Sequence, residues 1–323
     1  MDDIVGVDVS KARLDVALLS GGRTRRYQGT NDAAGHRAIG QWLARWGVGQ
    51  AHICLEATGA YGFEFACLMA QGGHRVSLVN PAKIEAFRRS ELLRSKTDKV
   101  DAGLIARFCR AMTPPAWTPP RRAVLELRAL VRRCAALKDM RTQEINRLKS
   151  GSLSPAATTS VERLIAVLED ELETITAASE RLIAEDAALT ADAELLRTVP
   201  GIGPRAAAVL LGELPDLRNF AHPKKLAAFV GIAPSARSSG ERQGSGTISR
   251  VGNGLVRSTM VLCALSAKRY NPITRTFAER LAASGKPPKV VLVAVAKKLL
   301  FIAHGVLKHG RPFDPAHTLA HMA

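Results

Sequence analysis

The chain has 323 residues, of which 46 are Lys or Arg and 29 are Asp or Glu, so its net charge is +17. This length predicts two or three domains, and a hydrophobic share of 46% predicts folded cores rather than a disordered chain. The longest apolar run, Val290–Ala296, is far shorter than the roughly 18–20 residues of a membrane helix, and no secretory signal pattern is present. The basic surplus predicts a polyanionic partner, most simply nucleic acid, because neutralisation of phosphates drives such binding.

Residues 1–119 are predicted to form an α/β domain. Three runs of strand-like composition, Ile4–Val9, Leu14–Leu19 and Arg23–Gln28, predict three consecutive strands. Helical and strand patterns then alternate, with helices at 33–47, 61–71, 81–90 and 98–112 and strands at 52–56 and 75–79. This order of elements is ribonuclease-H-like. The Pro-rich stretch 113–120 predicts the domain boundary, because proline does not continue a helix.

Residues 120–188 are predicted to form a helical hairpin. Apolar residues recur at helical spacing through 121–149 and again through 159–187, and the Ser- and Gly-containing segment 150–155 joins the two stretches. Two helices of this length with a short connection predict an antiparallel hairpin or a coiled coil. Because such a hairpin cannot bury both of its faces alone, we expect the chain to form an oligomer.

Residues 189–323 are predicted to be mostly helical, and they hold 19 basic against 7 acidic side chains, a net charge of +12. The turn Val199–Gly203 resembles a helix-hairpin-helix. There Gly201 and Gly203 let a backbone approach DNA, and Arg205 and the first amides of the next helix suit a phosphate. A tight turn between packed helices is the alternative. Further helices are predicted near 204–213, 222–230, 253–269, 271–284 and 288–308.

Four carboxylates stand where a metal site is expected. Asp8 ends the first predicted strand and Glu56 ends the strand of the second βα unit, and ligand sites of α/β folds collect at such strand ends. Asp98 and Asp101 are three residues apart on a predicted helix, so they share a face. Carboxylates brought together need a cation, and hard oxygen ligands suit Mg²⁺ or Mn²⁺, which assist phosphoryl displacement.

The motifs around these carboxylates resemble those of a known family. GVDVSK at Gly6–Lys11, LEATG at Leu55–Gly59 and SKTDKVDA at Ser95–Ala102 are similar to motifs of the insertion sequence 110 family of transposases. These are DEDD recombinases, related to the Piv DNA invertase, with a RuvC-like catalytic domain. The resemblance extends over nearly the whole chain. It implies that the metal-binding tetrad comprises Asp8, Glu56, Asp98 and Asp101.

A Ser- and Gly-rich segment between residues 231 and 253 is the second candidate site. Composition alone favours a flexible loop, but the arginines around it suit phosphate: Arg237, Arg242, Arg250 and Arg257. The resemblance implies that Ser239 is a nucleophile that forms a covalent phosphoserine, in a composite site with the RuvC-like domain. Ser238 and Ser235 remain alternative positions for the nucleophile.

The resemblance implies a transposase that cuts and rejoins donor and target DNA, selected by a structured noncoding bridge RNA. It also implies dimers or tetramers acting in the bacterial cytoplasm at the nucleoid. A Piv-type invertase or a RuvC-like junction nuclease is the nearer alternative, and a resolvase would need the tetrad but not Ser239. A non-enzymatic nucleic-acid-binding protein is the farther alternative, and the presence of all four carboxylates argues against it.

Overall fold

A computed structural model describes residues 3–57, 61–91, 98–214, 217–233, 238–239, 242–243, 248 and 252–316, with the backbone alone at 98–100, 238–239 and 242–243. The chain divides into two compact units, Met1–Pro119 and Pro120–Ala323. The boundary between the units lies in the Pro-rich stretch. The further division into 120–188 and 189–323 stays a prediction.

The first unit contains a mixed five-stranded sheet. Its strands are β1 (Asp3–Val9), β2 (Arg13–Ser20), β3 (Arg23–Thr30), β4 (Ala51–Glu56) and β5 (Arg75–Val79). They lie in the order β3-β2-β1-β4-β5, with β1 to β3 antiparallel and with β4 parallel to both β1 and β5. The five strands follow the order predicted from the sequence, and the arrangement is consistent with a ribonuclease-H-like domain.

Helices cover both faces of this sheet. The helices are α1 (Ala33–Arg45), α2 (Phe63–Gln71), α3 (Pro81–Ser90) and α4 (Asp98–Met112). Side chains of α1 and α2 pack with Val5 and Val7, whereas side chains of α3 and α4 pack with Ile4. Because successive strand residues point to opposite faces, the even-numbered residues of β1 face α3 and α4.

A close approach at Gly6 fixes α4 against the sheet. A Cβ atom at this position would overlap the carbonyl oxygen of Ala102 and the amide nitrogen of Ala106. Only glycine leaves room for the helix backbone there. The first turns of α4 therefore lie directly against the carboxyl-terminal half of β1.

The second unit is almost entirely helical. Its helices are α5 (Arg122–Lys149), α6 (Pro155–Glu185), α7 (Ala187–Arg197), α8 (Pro204–Glu213), α9 (Pro223–Val230), α10 (Gly254–Tyr270), α11 (Pro272–Ala283) and α12 (Pro288–His309). A 3₁₀ turn spans Leu217–Asn219, and two short strands, β6 (Ser238–Ser239) and β7 (Arg242–Gln243), pair antiparallel. The two short strands lie in the segment that composition predicted to be a loop.

Two helix boundaries differ from the prediction because of capping. Helix α6 begins at Pro155 instead of residue 159, since proline suits the first helical position and the hydroxyl of Ser154 accepts a hydrogen bond from the amide of Ala157 (3.4 Å). Asp186 ends α6 and begins α7, because its carboxylate accepts a hydrogen bond from the amide of Leu189 (2.9 Å).

Helices α5 and α6 pack along each other. Arg141 pairs with Glu169 (3.4 Å), and Cys134 contacts Thr176 (3.7 Å). Residue numbers therefore increase along α5 in the direction in which they decrease along α6. The two helices are therefore antiparallel, with a small apolar cluster of Leu137, Leu168, Leu172 and Ile175 between them. Coiled-coil packing stays a prediction.

Helix α12 is the central helix of the second unit's core. Among the described residues it is the one helix that is long and apolar enough to cross a membrane, judged by length and composition alone. Of its most apolar 18-residue stretch, however, 56% is buried inside the protein. Sequence inspection missed this because Lys297 and Lys298 interrupt the apolar run. Both side chains reach aromatic rings, with the Lys297 ammonium 5.7 Å from the Phe301 ring centre. Burial of this kind is typical of a core helix.

Candidate catalytic carboxylate site

Two of the predicted carboxylates lie side by side at strand ends. Strands β1 and β4 are parallel, and Val7 pairs with Leu55 in their register. Asp8 and Glu56 are the next residues on each strand, and adjacent strands are about 4.8 Å apart. Both belong to the alternate set of positions that faces α3 and α4, the set that contains Gly6. The two carboxylates therefore project from neighbouring strands toward the same side of the sheet.

The third carboxylate comes from α4. Asp101 is only 9% exposed and directly precedes Ala102, whose carbonyl oxygen lies against Gly6, two residues before Asp8 on the same face. Asp98 begins the same helix, and its side chain lies outside the described residues. The elements that carry the four predicted residues thus converge at one edge of the sheet. The tetrad as a set of metal ligands stays a prediction.

An arginine that the sequence analysis did not single out occupies this edge. Nη2 of Arg88, on α3, donates a hydrogen bond to Oδ1 of Asp101. The arginine is 9% exposed, and its Nε and Nη1 are buried without a hydrogen-bond partner. Nε lies 3.3 Å from Oε2 of Glu85, within ion-pair range although the geometry does not form a hydrogen bond. No sequence signal marks Arg88, because its partner is set by the packing of α3 against α4.

A fifth carboxylate lies in the same row of the sheet. Asp15 on β2 pairs with Asp8 in the antiparallel register and is 7% exposed. Its carboxylate accepts hydrogen bonds from Nε of Arg13 (3.0 Å) and Nε2 of Gln28 (2.7 Å). The sequence signal that marks Asp15 is a charged residue inside the apolar run Leu14–Leu19. Asp15 is thus a neutralised neighbour of Asp8.

The donor chemistry of this edge fits a hard divalent cation. Carboxylate oxygens are the ligands that Mg²⁺ and Mn²⁺ prefer, and like-charged carboxylates on adjacent strands favour a bound cation. Among the side chains that the structure describes, no three His, Cys, Asp or Glu residues are grouped to hold an ion. The described side chains do not include that of Asp98. They include that of Asp101, which is hydrogen-bonded to Arg88. The residue types fit the metal, and one of them, Asp101, accepts a hydrogen bond from Arg88.

In the second unit, the two ends of the predicted serine segment lie together, because Gly252 packs against the backbone at the end of α9. Gly252 has a φ of +136°, and a Cβ atom there would overlap the carbonyl oxygen of Phe229 at the end of α9. Ser239 lies in β6 and pairs with Arg242 of β7. The structure gives only the backbone of these two residues, and the predicted Arg237 and Arg250 lie outside the described residues.

A buried carboxylate holds the point of re-entry. Asn253 caps α10, and its Nδ2 donates to Oε2 of Glu213 (2.6 Å), whose side chain is 2% exposed. Arg132 of α5 donates to both oxygens of the same carboxylate (2.5 and 3.0 Å). Burial alone raises the pKa of Glu213, but the hydrogen bonds from Arg132 and Asn253 outweigh it and hold the pKa below its ordinary value. Nearby, Nη1 of Arg257 donates to the carbonyl oxygen of Val230 (3.1 Å).

The two glycines of the predicted helix-hairpin-helix have different surroundings. Gly201 has a φ of +106°, and an added Cβ would lie 2.6 Å from that of Ala267 on α10, so packing alone requires glycine there. Gly203 precedes α8 with open space around its Cα and no side-chain cap, and Arg205 is exposed. Phosphate binding by the first amides of α8 stays a prediction, whereas the packing against Ala267 gives Gly201 a structural reason of its own.

Comparison with known proteins gives concordant matches for both units. Residues 5–151 match a family model of DEDD transposases of the IS110 type, and residues 193–279 match the model "Transposase IS116/IS110/IS902 family". The chain is 31% identical over 317 residues to the pilin gene-inverting proteins of Moraxella lacunata and Moraxella bovis, covering 96% of this chain and 97% of each relative. It is 30% identical to a putative transposase of Sinorhizobium fredii, covering 95% of this chain and 89% of that protein.

Proposed function

Since this chain belongs to the IS116/IS110/IS902 family of transposases, we propose that it is an insertion-sequence recombinase that cuts and rejoins donor and target DNA. The observation that carries the proposal is the placement of Asp8 and Glu56 at consecutive ends of paired parallel strands, beside Asp101 at the start of α4. Carboxylates from neighbouring elements at one sheet edge can hold the divalent ions that stabilise the attacking and leaving oxygens of a phosphoryl displacement.

In this proposal the tetrad holds Mg²⁺ or Mn²⁺. Asp8, Glu56 and Asp101 come from the three elements that converge at the sheet edge, and Asp98 comes from the same helix as Asp101. The bound metal supplies Lewis-acid stabilisation of the charge that develops on the phosphate and on the leaving 3′ oxygen. The carboxylates would hold the ion at this edge of the sheet, where it would bind phosphate.

The proposed nucleophile is Ser239. Its Oγ forms a bond to phosphorus while the bond from phosphorus to the 3′ oxygen breaks, and the hydroxyl proton passes to the leaving oxygen, giving a phosphoserine and a free 3′-OH. Attack of a second 3′-OH on the phosphoserine reverses the step and joins the strands. The fixed base of the serine segment at Gly252 and Asn253 supports the proposal, since a nucleophile has to be held in place. Ser238 is the alternative position.

We further propose that a bridge RNA selects the DNA sites and that the working assembly is a dimer or tetramer on chromosomal DNA in the bacterial cytoplasm. The net charge of +17 supports a chain that neutralises the phosphates of two nucleic acids. The exposed Arg205 and the open amino terminus of α8 are the proposed phosphate contacts, with Arg237, Arg242, Arg250 and Arg257 beside the serine segment. The antiparallel α5–α6 pair is the proposed contact between subunits.

Site-specific inversion is a second candidate function. The chain matches two pilin gene-inverting proteins over 97% of their length, which favours an invertase that recombines two sites in one DNA molecule. Both functions use the same carboxylates and serine. A plasmid with inverted candidate sites tests inversion, whereas separate donor and target molecules test transposition.

Glu56→Gln tests the carboxylate site. The substitution keeps the size of the side chain and removes its charge, so we expect DNA cleavage to fall by more than about 100-fold, since even outer-shell changes at metal sites cost about 10–100-fold. DNA affinity and thermal stability are expected to stay close to wild type. Glu64→Gln is the matched control, because Glu64 is an exposed carboxylate on α2 of the same unit. Cleavage at the wild-type rate in Glu56→Gln would remove this edge of the sheet from the reaction.

A further inference from the structure

Arg88 is a buried guanidinium beside the carboxylate site with most of its donors unused. Among the described residues its hydrogen bonding is limited to one bond, from Nη2 to Asp101. Leaving buried N–H groups without acceptors reduces stability, and most buried polar groups in proteins are satisfied. An arginine retained for folding alone would be expected to saturate its donors. The hydrogen bond that Arg88 does make goes to the predicted metal ligand Asp101.

A second carboxylate lies within reach of the same guanidinium. Glu85 is one helical turn earlier on α3, and its Oε2 is 3.3 Å from Nε of Arg88. The Glu85 side chain is 49% exposed, so a guanidinium that turned toward it would bring its unused donors into contact with water. The Arg88 guanidinium therefore lies between two carboxylates, hydrogen-bonded to Asp101 and within ion-pair distance of Glu85. Oε1 of Glu85 also accepts a hydrogen bond from Nε of Arg89 (3.2 Å), and its Oε2 faces Arg88.

We propose that Arg88 is a placeholder cation that competes with the divalent metal for Asp101, and that Glu85 receives the guanidinium when the metal binds. The inference rests on the proposed function, because it takes Asp101 as a metal ligand. The positive charges of a metal ion and of the guanidinium repel each other across one carboxylate in a partly buried site, so binding of one weakens binding of the other. Without metal, Arg88 neutralises Asp101 and reduces its repulsion with the neighbouring carboxylates. The free energy needed to displace Arg88 from Asp101 therefore lowers the affinity of the wild-type site for metal.

The competition between Arg88 and the metal is tested by Mn²⁺ binding to the full-length protein without nucleic acid. The electron paramagnetic resonance signal of the free ion measures the unbound Mn²⁺. Arg88→Met is expected to bind Mn²⁺ on the order of tenfold more tightly than wild type, since metal no longer displaces a charge-assisted hydrogen bond. Glu85→Gln is expected to bind several-fold more weakly, because the guanidinium loses its alternative partner. The matched controls are Arg107→Met and Glu91→Gln, which remove one charge each from a pair (3.0 Å) in the same unit without contact to Asp101.

The two substitutions separate the possible failures. Equal or weaker binding by Arg88→Met would show that Arg88 orients Asp101 or serves packing, and would overturn the inference. If Arg88→Met does not fold, the exposed Glu85 carries the test, and unchanged Mn²⁺ affinity in Glu85→Gln overturns it. Asp101→Asn is the reference for the site itself. Wild-type affinity in Asp101→Asn would remove both the metal site of the proposed function and the inference, which distinguishes that result from a failure of Arg88 alone.

Discussion

Asn253→Ser separates two roles that one side chain has at the base of the serine segment. Oδ1 of Asn253 caps α10 by accepting from the amide of Val256 (3.0 Å), and Nδ2 donates to the buried carboxylate of Glu213 (2.6 Å). Serine is an equally good amino-terminal cap but has no donor of that reach. The substitution therefore removes the bond to Glu213 and leaves the cap in place.

The size of the effect follows from the partners that remain. A hydrogen bond to a charged group contributes about 1.5–3 kcal/mol, and Arg132 still provides two donors to Glu213, so the carboxylate is not left unpaired. We expect the free energy of unfolding of the second unit to fall by about 2 kcal/mol. For a unit of this size the melting temperature should fall by about 4–8 °C. Thermal and urea denaturation of the full-length chain measure both values.

Asn253→Asp provides the comparison. An aspartate keeps the cap but places a second carboxylate against Glu213, so we expect a larger loss of stability than in Asn253→Ser. Stability of Asn253→Ser within about 0.5 kcal/mol of wild type, the range of an ordinary surface substitution, would refute the reasoning. So would an Asn253→Asp protein as stable as wild type, because both results would show that Glu213 does not hold the start of α10.

Three further substitutions test the packing and the electrostatics. The pKa of Glu213 is lowered in the folded protein, so its contribution to stability is complete above its ordinary pKa of 4.5 and is lost as pH falls through the folded value. In Glu213→Gln, the free energy of unfolding from urea titrations should therefore fall less steeply with decreasing pH. Gly6→Ala should lower the free energy of unfolding by about 3 kcal/mol and weaken Mn²⁺ binding, because the added Cβ overlaps the backbone of α4. Gly49→Ala is the control and should change neither, since Gly49 has open space around it. A Gly6→Ala protein that behaves as wild type would contradict the contact with α4. Gly201→Ala should destabilise the second unit by about 2–3 kcal/mol. Gly203→Ala should cost about 1 kcal/mol or less, since alanine there only weakens the start of α8. Equal melting temperatures of the two variants would show that Ala267 on α10 does not confine Gly201.

The sequence predicted the parts of the fold that local patterns determine. The strands around Asp8 and Glu56 were predicted because alternating and β-branched runs end at those residues, and the structure confirms both strands. That the two strands are neighbours in the sheet is a finding of the structure. The beginning of α7 was missed, because a helical pattern continues through Asp186 and only the cap divides it. The chain's membership of the transposase family, predicted from three motifs, is confirmed by the comparisons.

Residues whose role depends on tertiary packing could not be predicted. Arg88 contacts Asp101 across 13 positions of sequence, and the approach of two helices decides that contact. The hydrogen-bonded group around Glu213 also joins three helices, since Arg132 lies on α5 and Asn253 caps α10. No sequence motif marks these residues. The requirement for glycine at position 201 likewise arises from α10, 66 residues later, at Ala267. Such contacts depend on the assembled core, whereas a motif records only neighbours along the chain.

The most direct test of the account is a search for DNA covalently joined to the protein. Purified protein would be incubated with Mg²⁺, RNA from the flanks of its element and labelled donor and target DNA, and then denatured. We expect an adduct in wild type that requires Mg²⁺ and is absent in Ser239→Ala, while the neighbouring Ser238→Ala still forms it. Cleavage without an adduct, at an equal rate in Ser239→Ala, would contradict the phosphoserine mechanism and leave a RuvC-like nuclease.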